Sequence, residues 1–370
     1  MQQKTVSFNP ADQPDFVKTL NKRVNEYFKS NKINKKGNLN MKLKTVFMVA
    51  LYIVPLVLMH LGLIQSISGN YLMWVLMGLG MTGIGLSIMH DANHGAYSKN
   101  QRTNRWMGYL LNIIGGYHVN WKIQHNVLHH SFTNVEGLDE DIENGLLRFS
   151  PSQDLKWFHK FQFLYAPFLY SLMTIYWCLT KDFEQLVRYN KLGLYAGQGV
   201  PIEKAWRTVI TTKFFYMAAV IVLPIIFWDI AWYHVILGFC LMQGISGLIL
   251  ALIFQPAHVV EHTDFFLPDD DQSIGNSWAV HQLKTTSNFA NQSRIFSWFI
   301  GGLNFQIEHH LFPNICHVHY KNLAPIVKKT AREFNIPYYE HKTFASAVWS
   351  HFIVLYKLGM GTYKPSLVKS

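Results

Sequence analysis

The sequence is poor in charged residues and in cysteine. Only 15% of its 370 residues are charged and 49% are hydrophobic, whereas soluble domains average about 25% charged residues. Its three cysteines, Cys178, Cys240 and Cys316, lie far apart and form no CxxC pair, so neither a disulfide framework nor a thiolate metal site is indicated. This composition argues against a disordered or a disulfide-rich secreted chain. It favours a membrane protein with sizeable water-facing parts.

The first 44 residues carry ten Lys and Arg but lack the apolar core and cleavage site of a signal peptide. The net charge of the chain is +11. Because long apolar stretches accompany this charge, we interpret it as contact with an anionic membrane leaflet and expect no nucleic-acid partner. Phe16, Leu20, Val24 and Phe28 recur every four residues, which predicts a basic amphipathic helix. That helix would lie on the membrane surface or pack on the protein's own cytosolic part.

Four apolar stretches are long enough to cross a bilayer as helices, which takes about 20 residues. The turn within each pair lacks Lys and Arg, so the positive-inside rule places both termini and the middle segment in the cytoplasm. The sequence therefore predicts an all-α integral membrane fold, in which four transmembrane helices form two hairpins with a cytoplasmic helical cap. The spans are predicted at about residues 45–64, 72–89, 212–229 and 231–254, within a membrane domain 45–340 that follows a cytoplasmic segment 1–44 and precedes a cytoplasmic segment 341–370.

A fifth apolar stretch, residues 161–179, is ambiguous. It could cross the membrane once, lie in the interface or form a re-entrant pair. One crossing here would put the motifs HNVLHH (residues 125–130) and QIEHH (residues 306–310) on opposite sides of the membrane, where they could not share a site. We therefore predict that this stretch is interfacial and does not cross.

Nine of the 18 histidines fall into tight clusters. Histidines four residues apart share one face of a helix and can bind one ion. Adjacent histidines are rotated by about 100° around an α-helix, so a His–His doublet can direct one imidazole at each of two metals. Nine imidazoles and one amide are enough for two ions with about five ligands each. The candidates are His90, His94, His125, His129, His130, His258, His262, His309, His310 and Gln306.

The histidine clusters are predicted at one cytoplasmic surface, just outside the lipid. Ionisable groups at a membrane boundary are rare and by default functional, which indicates a metal centre close to the hydrocarbon and suits a substrate that is itself a lipid chain. Imidazole suits iron, zinc, copper and nickel alike, so the donor set does not identify the metal. Nearby carboxylates are expected to orient the ligating imidazoles, namely Asp91, Asp139, Asp141, Glu261 and Glu308.

The motifs closely resemble those of the membrane fatty acid desaturase family. The match consists of HDxxH at residues 90–94, HNxxHH at 125–130 with TN and DxD after it, and QIEHHLFP at 306–313. It covers roughly residues 40–340, and a third motif beginning with Gln is similar to the front-end branch, which includes acyl delta-6 and delta-5 desaturases. Of the candidates above, the resemblance puts every histidine except His258 at an iron-ligand position. His258 stands where acyl-CoA delta-9 members have an amide, and Gln306 where other branches have a ligating histidine.

This resemblance implies an O2-dependent enzyme with two non-haem irons, which introduces a cis double bond into a long-chain acyl-CoA or acyl-lipid. Many eukaryotic front-end members carry a fused cytochrome b5 domain with an HPGG motif, and no HPGG occurs here. We therefore expect no haem or flavin in this chain and a separate electron donor of ferredoxin or cytochrome b5 type. The compact chain looks bacterial, which predicts a multi-pass protein of the inner membrane. An apolar tunnel would set the double-bond position, with Trp121, Trp278, Gln282, Thr286 and Asn288 as candidate lining residues.

Two other functions stay open at this point. The first is a di-iron hydroxylase or ketolase that has the same fold and metal site and acts on a lipid. The second is a histidine-rich metal transporter. Transport sites usually lie near the bilayer midplane, whereas these histidines cluster beyond the span ends, so the sequence favours chemistry at the membrane surface.

Overall fold

The architecture comes from a computed structural model that describes residues 6–268, 272–363 and 368–369. The described chain is mostly helical and divides into two compact units. The first unit consists mainly of Asn38–Ile123 and Pro167–Ala251, and the second of Gln3–Gly37, Gln124–Ala166 and Leu252–Ser370.

Alpha-helices account for most of the described residues. In chain order they are α1 (Pro14–Ser30), α2 (Leu39–His60), α3 (Ile67–Gly83), α4 (His90–Asn93), α5 (Gln101–Gly108), α6 (Leu110–Ile113), α7 (His118–Trp121), α8 (His130–Phe132), α9 (Gln162–Tyr176), α10 (Asp182–Lys191), α11 (Ile202–Met217), α12 (Leu223–Phe227), α13 (Trp232–His258), α14 (Trp278–Thr285), α15 (Arg294–Phe299), α16 (Gln306–Leu311), α17 (Tyr320–Glu333) and α18 (Phe344–Gly359). Segments with π-helical hydrogen bonds, which run between residues five apart, are Ile84–Met89, Lys122–His129, Trp177–Lys181 and Ala218–Val222. Short 3₁₀ helices are Trp157–Phe161, Ala196–Gln198 and His317–His319.

Among the described residues, five continuous helices are long and apolar enough to cross a membrane, one more than the four predicted spans. The additional helix contains the ambiguous stretch 161–179. Its 35 residues run without a turn, which excludes the re-entrant pair because such a pair needs one. The five helices are Leu39–His60, Ile67–Asn93, Trp157–Lys191, Ile202–Phe227 and Trp232–His258.

The helices begin earlier than three of the predicted spans. The starts predicted at residues 45, 72 and 212 correspond to helix starts at Leu39, Ile67 and Ile202. The side chains of Asn38 and Ser66 each accept a hydrogen bond from the backbone N–H three residues on, at 3.2 and 3.1 Å. Such capping side chains favour a helix start. Hydropathy alone missed these starts because the first turns of the helices contain polar residues.

All four predicted ends also shift, the first from residue 64 to His60 and the second from residue 89 to Asn93. The third predicted span, 212–229, is too long at its end, because the helix stops at Phe227 and Trp228 is extended. The fourth, 231–254, is too short, because α13 continues to His258. His258 is therefore the last residue of a long helix.

The second unit also contains short strands, which the all-α prediction omitted. Among the described residues they form four two-stranded pairings of two or three residues each. β1 (Ser7–Phe8) pairs with β5 (Ser273–Ile274), β2 (Glu143–Asn144) with β3 (Leu147–Arg148), β4 (Phe266–Leu267) with β8 (Val368–Lys369), and β6 (Ser287–Phe289) with β7 (Tyr339–His341). Only the pairing of β2 with β3 is antiparallel.

Helix α1 is the amphipathic helix predicted from the four-residue spacing. The apolar side chains of Phe16, Leu20, Val24 and Phe28 are at most 5% exposed. They pack into one hydrophobic core with residues of α14, α16 and α17. The apolar face of α1 is therefore buried in the protein, which agrees with the predicted packing on the protein itself.

Candidate metal centre

The first histidine cluster lies at the end of the second apolar helix, in the first unit. The π-helical segment Ile84–Met89 leads directly into α4, which begins with His90. The ring centroids of His90 and His94 are 4.8 Å apart. The Trp121 ring packs against both, with centroid distances of 5.5 Å to His90 and 5.7 Å to His94. The structure thus brings the predicted pair together beside one aromatic wall.

In the second cluster, His125 and His129 lie on a π-helix, Lys122–His129, and His130 begins α8, whereas the sequence assumed one α-helix. Residues five apart come together in a π-helix, and the Nε2 atoms of His125 and His130 are 3.2 Å apart. The rings of His125 and His129 stack with centroids 5.4 Å apart. All three imidazoles therefore lie close together, and the ring centroids of the doublet His129–His130 are 5.7 Å apart.

Among the described residues of the second unit, candidate ligand atoms converge in two groups that consist of histidines alone. One group contains His129, His258 and His310, and the other contains His130, His309 and His310. Within each group the ligand atoms lie within 4.8 Å of one another, and the Nε2 atoms of His130 and His309 approach to 2.9 Å. The two members of each doublet thus contribute to different groups, as predicted for a doublet, except that His310 belongs to both.

In the first of these groups, hydrogen bonds to Nδ1 determine which ring nitrogen carries the proton. A carbonyl oxygen can only accept, so Nδ1–H of His258 donates to the Thr285 carbonyl at 3.1 Å. Nδ1–H of His310 donates to Oε1 of Gln282 at 2.8 Å. The amide orientation of Gln282 follows from its Nε2, which donates to the backbone carbonyl of His130 at 3.3 Å. Each Nε2 lone pair therefore points away from these partners and is available to a metal.

The third histidine of the group, His129, is held by a buried carboxylate. Its Nδ1 lies 3.1 Å from both oxygens of Asp139 and 3.4 Å from Asp141. Burial by itself would lower the pKa of His129, but the two carboxylates outweigh it and raise this pKa to about 9. Burial would raise the pKa of Asp139, but His129 and the backbone N–H groups of Asn134 and Asp141 hold it below its usual value. Asp139 is therefore an ionised partner that fixes the ring.

Glu308, next to the second doublet, His309–His310, has a different environment. It is fully buried and accepts hydrogen bonds from Asn288 Nδ2 at 2.8 Å and from the Tyr338 hydroxyl at 3.0 Å. Burial raises the pKa of Glu308 to about 7, although both hydrogen bonds act to lower it. Oδ1 of Asn288 also accepts the backbone N–H of Ile307 at 2.9 Å. Asn288 and Tyr338 thus tie the start of α16 in place.

Some predicted residues do not join the converging groups. His262 is exposed, stacks on Tyr339 with centroids 5.8 Å apart, and belongs to no group of converging ligand atoms among the described residues. The helical spacing argument for His258 and His262 fails because α13 ends at His258. Glu261 pairs with Lys357 at 2.7 Å on the surface. Metal ligation by His262 and ring orientation by Glu261 stay predictions.

Asp91 and the predicted tunnel residues lie close to the histidines. The carboxylate of Asp91 is 3.8 Å from Nδ1 of His90. Trp278 Nε1 donates to the carbonyl of His130 at 3.0 Å, and Thr286 is buried. Gln282 and Asn288 make the polar contacts described above, so their side chains hold the histidine segments. A tunnel role for these residues stays a prediction.

The sequence interpretation missed two hydroxyl-bearing residues at the site. The Tyr320 hydroxyl lies 3.3 Å from Nδ1 of His309, and Tyr338 contacts Glu308. Thr133 was cited only as part of a motif, yet its Oγ1 donates to Gln282 Oε1 at 3.0 Å. The two tyrosines stand outside the histidine motifs, so no local signal in the sequence marks them.

The donor set fits bound transition-metal ions. In the part of the chain that the structure describes, Nε2 of His258 and both polar atoms of the Gln306 amide are buried and have no hydrogen-bond partner. An unsatisfied buried polar group costs about 1–3 kcal/mol, and a metal ion held by the His258 nitrogen and the Gln306 amide oxygen would remove that cost for these two atoms. Imidazole nitrogens with an amide oxygen are ligands that iron accepts.

The chain combines apolar helices with converging imidazoles, which is the organisation of a multi-pass membrane metalloenzyme. The protein-family model described as "Fatty acid desaturase" matches residues 68–342, and the chain belongs to this family. It is 34% identical to the sn-1 linoleoyl-lipid 6-desaturase of Arthrospira platensis over 93% of both chains. It is 33% identical to the protein of the same name from Synechocystis sp., over 93% of this chain and 95% of the relative. The Acyl-lipid (8-3)-desaturase of Physcomitrium patens is 34% identical over 97% of this chain, which spans 75% of that relative.

Proposed function

We propose that the protein is a front-end acyl-lipid desaturase that uses O2 to introduce a cis double bond into a long-chain acyl group. The similarity to sn-1 linoleoyl-lipid 6-desaturases over nearly the whole of both chains supports the reaction and a lipid-bound substrate. The structural observation that carries the proposal is the convergence of His129, His258 and His310 with their ring protons held at Nδ1. That arrangement is suited to a resident metal.

Two iron ions are the proposed cofactor. His129, His258 and His310 would hold one ion, and His125, His130 and His309 would hold the other. The resemblance adds His90, His94 and His262 as ligands, and the amide of Gln306 is a further donor. When bound, the irons supply the activation of O2 that removal of hydrogen from unactivated methylene groups requires.

The chain's own residues supply positioning and dryness. Asp139, Thr285 and Gln282 hold the Nδ1–H groups of the three converging histidines, so the rings cannot turn away from the metal. The histidines of both groups are at most 5% exposed, which keeps water from the reacting methylenes. The overall reaction consumes O2, two electrons and two protons and releases two waters. We propose a separate ferredoxin or cytochrome b5 type protein as the source of the electrons.

We also propose that four of the five apolar helices cross the membrane and that Trp157–Lys191 does not. HNVLHH and QIEHH lie together in the second unit, where the Nε2 atoms of His130 and His309 are 2.9 Å apart. Three apolar helices separate the two motifs in sequence, and an odd number of crossings would put the motifs on opposite sides of the membrane. Two crossings support an active site in a cytoplasmic cap, with both termini on that side, in the inner membrane of a bacterial cell.

Labelling with a membrane-impermeant maleimide tests this topology. Lys191 and Gln65 are exposed positions, the first at the end of the helix Trp157–Lys191 and the second in the turn between α2 and α3. In a Cys240→Ala background, Gln65→Cys should be labelled in intact cells and Lys191→Cys only after lysis. Labelling of Lys191→Cys in intact cells would mean that Trp157–Lys191 crosses the membrane.

Lipid analysis of a host that expresses the chain tests the reaction. The host is supplied with defined long-chain acyl substrates of several lengths, and the double-bond position of new products is determined. His129→Ala and His309→Ala should abolish product while the protein remains folded in the membrane. His60→Ala, at an exposed histidine far along α2, is the matched control and should retain product.

The outcome distinguishes the competing functions. A hydroxylated lipid without a new double bond would show that the enzyme is a hydroxylase and not a desaturase. Purified protein without tightly bound iron that moves divalent ions in vesicles would indicate a transporter. Product from both histidine variants would refute the ligand assignment.

A further inference from the structure

A buried ion pair lies among the apolar helices of the first unit. Lys213 Nζ is 2.8 Å from Oδ2 of Asp182, and the two residues are 7% and 0% exposed. Asp182 stands in Trp157–Lys191, and Lys213 stands in Ile202–Phe227, a helix proposed to cross the membrane. Ionisable residues in such helices are rare and point to a function. A buried ion pair seldom adds stability over an apolar pair of similar size, so stability alone does not account for it.

The Lys213 ammonium also collects backbone carbonyls. It donates to the carbonyl oxygens of Gly115 at 2.9 Å, Trp177 at 3.1 Å and Cys178 at 2.9 Å. Trp177 and Cys178 begin a π-helical segment, and Gly115 has a φ of +100° with Tyr216 and Cys178 packed closely around it. Lys213 thus joins α11 to the turn that precedes α7.

Asp182 extends this cluster to α7 itself. Asn120 Nδ2 donates to Oδ1 of Asp182 at 3.1 Å and to its backbone carbonyl at 2.9 Å. Trp177 Nε1 donates to the same Oδ1 at 3.2 Å, and the Tyr195 hydroxyl donates to Oδ1 of Asn120. Helix α7 has only four residues, too few to be stable alone. Its position therefore depends on such outside contacts.

Trp121 directly follows Asn120 and is the last residue of α7. Its ring is the aromatic wall against His90 and His94 described above. We propose that Asp182 and Asn120, with Lys213 as the counter-ion of the buried carboxylate, form a positioning cluster that fixes Trp121 beside His90 and His94, and thereby sets where the acyl chain is held for reaction. This inference rests on the proposed function, because it takes His90 and His94 to be iron ligands.

A matched pair of double variants separates positioning from folding. Lys213→Met/Asp182→Asn removes both charges but keeps an oxygen that accepts from Asn120 and Trp177. Lys213→Met/Asp182→Leu also removes both charges and leaves Asn120 without that acceptor. Neither variant leaves a lone buried charge, which is the usual cause of severe destabilisation. Asn120→Ala breaks the contact without altering the ion pair and serves as a second, independent variant.

The measurements are the melting temperature of the metal-free protein, iron content per chain, kcat, KM and the ratio of double-bond positions. We expect Asn120→Ala and the Asp182→Leu double variant to lose at least about tenfold in kcat, with a changed ratio of positions, because misplacement of about 1 Å can cost about 100-fold in rate. Their melting temperature and iron content should match those of the Asp182→Asn double variant. The Asp182→Asn double variant should keep kcat within about threefold of the parent, because it retains the oxygen that accepts the hydrogen bond from Asn120.

Trp121→Phe provides a test of the connection to Trp121. If the cluster acts through Trp121, the losses from Trp121→Phe and Asn120→Ala should combine to less than their product, as for residues in one network. Equal kcat in all variants would overturn the proposal. So would losses that follow the melting temperature in every variant, including the Asp182→Asn pair, because the cluster would then serve folding alone. Absence of iron and product from the parent itself would instead refute the proposed function.

Discussion

Replacement of Asp139 by Asn tests how the centre holds its metal. Asp139 is fully buried, and its two oxygens accept from Nδ1–H of His129 at 3.1 Å and from the backbone N–H groups of Asn134 at 2.8 Å and Asp141 at 3.0 Å. Asparagine has nearly the same shape but turns one oxygen into an NH2 donor. One of these three N–H groups must then face another donor, and His129 loses its ionised partner.

The expected loss follows from the role of Asp139 as a partner of a ligand. Removal of such a partner typically costs about 10- to 100-fold in metal affinity, which corresponds to about 1.4–2.8 kcal/mol. The matched control is Asp141→Asn. Asp141 is 29% exposed and 3.4 Å from Nδ1 of His129, and solvent weakens such pairs, so its loss should stay within about threefold.

The same variant should change the pH dependence of metal binding. A metal takes the Nε2 lone pair, so binding to His129 with a pKa of about 9 displaces a proton at any lower pH. In the parent this proton makes affinity rise by about tenfold per pH unit between pH 7 and 9. In Asp139→Asn less negative charge opposes the effect of burial on His129, so the pKa of His129 is lower. The rise of metal affinity with pH is therefore shallower than in the parent.

Anaerobic titration of the metal-free protein with Fe(II) against a chelator of known affinity measures both effects. The assay is run from pH 6.5 to 9 on the parent, Asp139→Asn and Asp141→Asn, with melting temperature as the check on folding. Parental affinity and slope in folded Asp139→Asn would refute the role assigned to this carboxylate.

Two further substitutions test packing and orientation. Gly238→Ala should lower the melting temperature by several degrees, because the new Cβ would lie 2.1 Å from Trp74 Nε1 and overpacking costs about 1–3 kcal/mol. The control Gly145→Ala has open space around its Cβ and should not lower the melting temperature. Equal melting temperatures for the two variants would contradict this reasoning. Gln282→Leu removes the acceptor for Nδ1–H of His310 and should lower iron affinity about 10- to 100-fold, as measured by the same chelator titration. Unchanged affinity would show that another group orients His310.

The predicted spans and motifs were accurate where the signal is local. Each of the four predicted spans corresponds to an apolar helix, because apolar length is a property of one segment. The family assignment from the wording of the histidine motifs is confirmed by the match to residues 68–342. The helix ends were less accurate, because capping side chains such as Asn38 and Ser66 determine them and hydropathy does not.

Helix α1 shows where a correct pattern leaves two outcomes. Its spacing of apolar residues predicted an amphipathic helix, and the helix is present. The same spacing serves a membrane surface and a protein core equally well. Only the partners from α14, α16 and α17, which lie about 250 residues or more along the chain, decide that its apolar face is buried in the protein.

The sequence by itself determined which residue types form the centre, because paired histidine motifs at the ends of apolar helices indicate metal binding. Tertiary structure alone decided how they are held. The π-helix brings His125 close to His130, and the end of α13 at His258 leaves His262 outside the helix. Hydrogen bonds from the ring nitrogens to Asp139, Thr285 and Gln282 determine which nitrogen carries the proton. Those contacts depend on backbone hydrogen bonding and on residues distant in sequence, so no spacing rule along one segment encodes them.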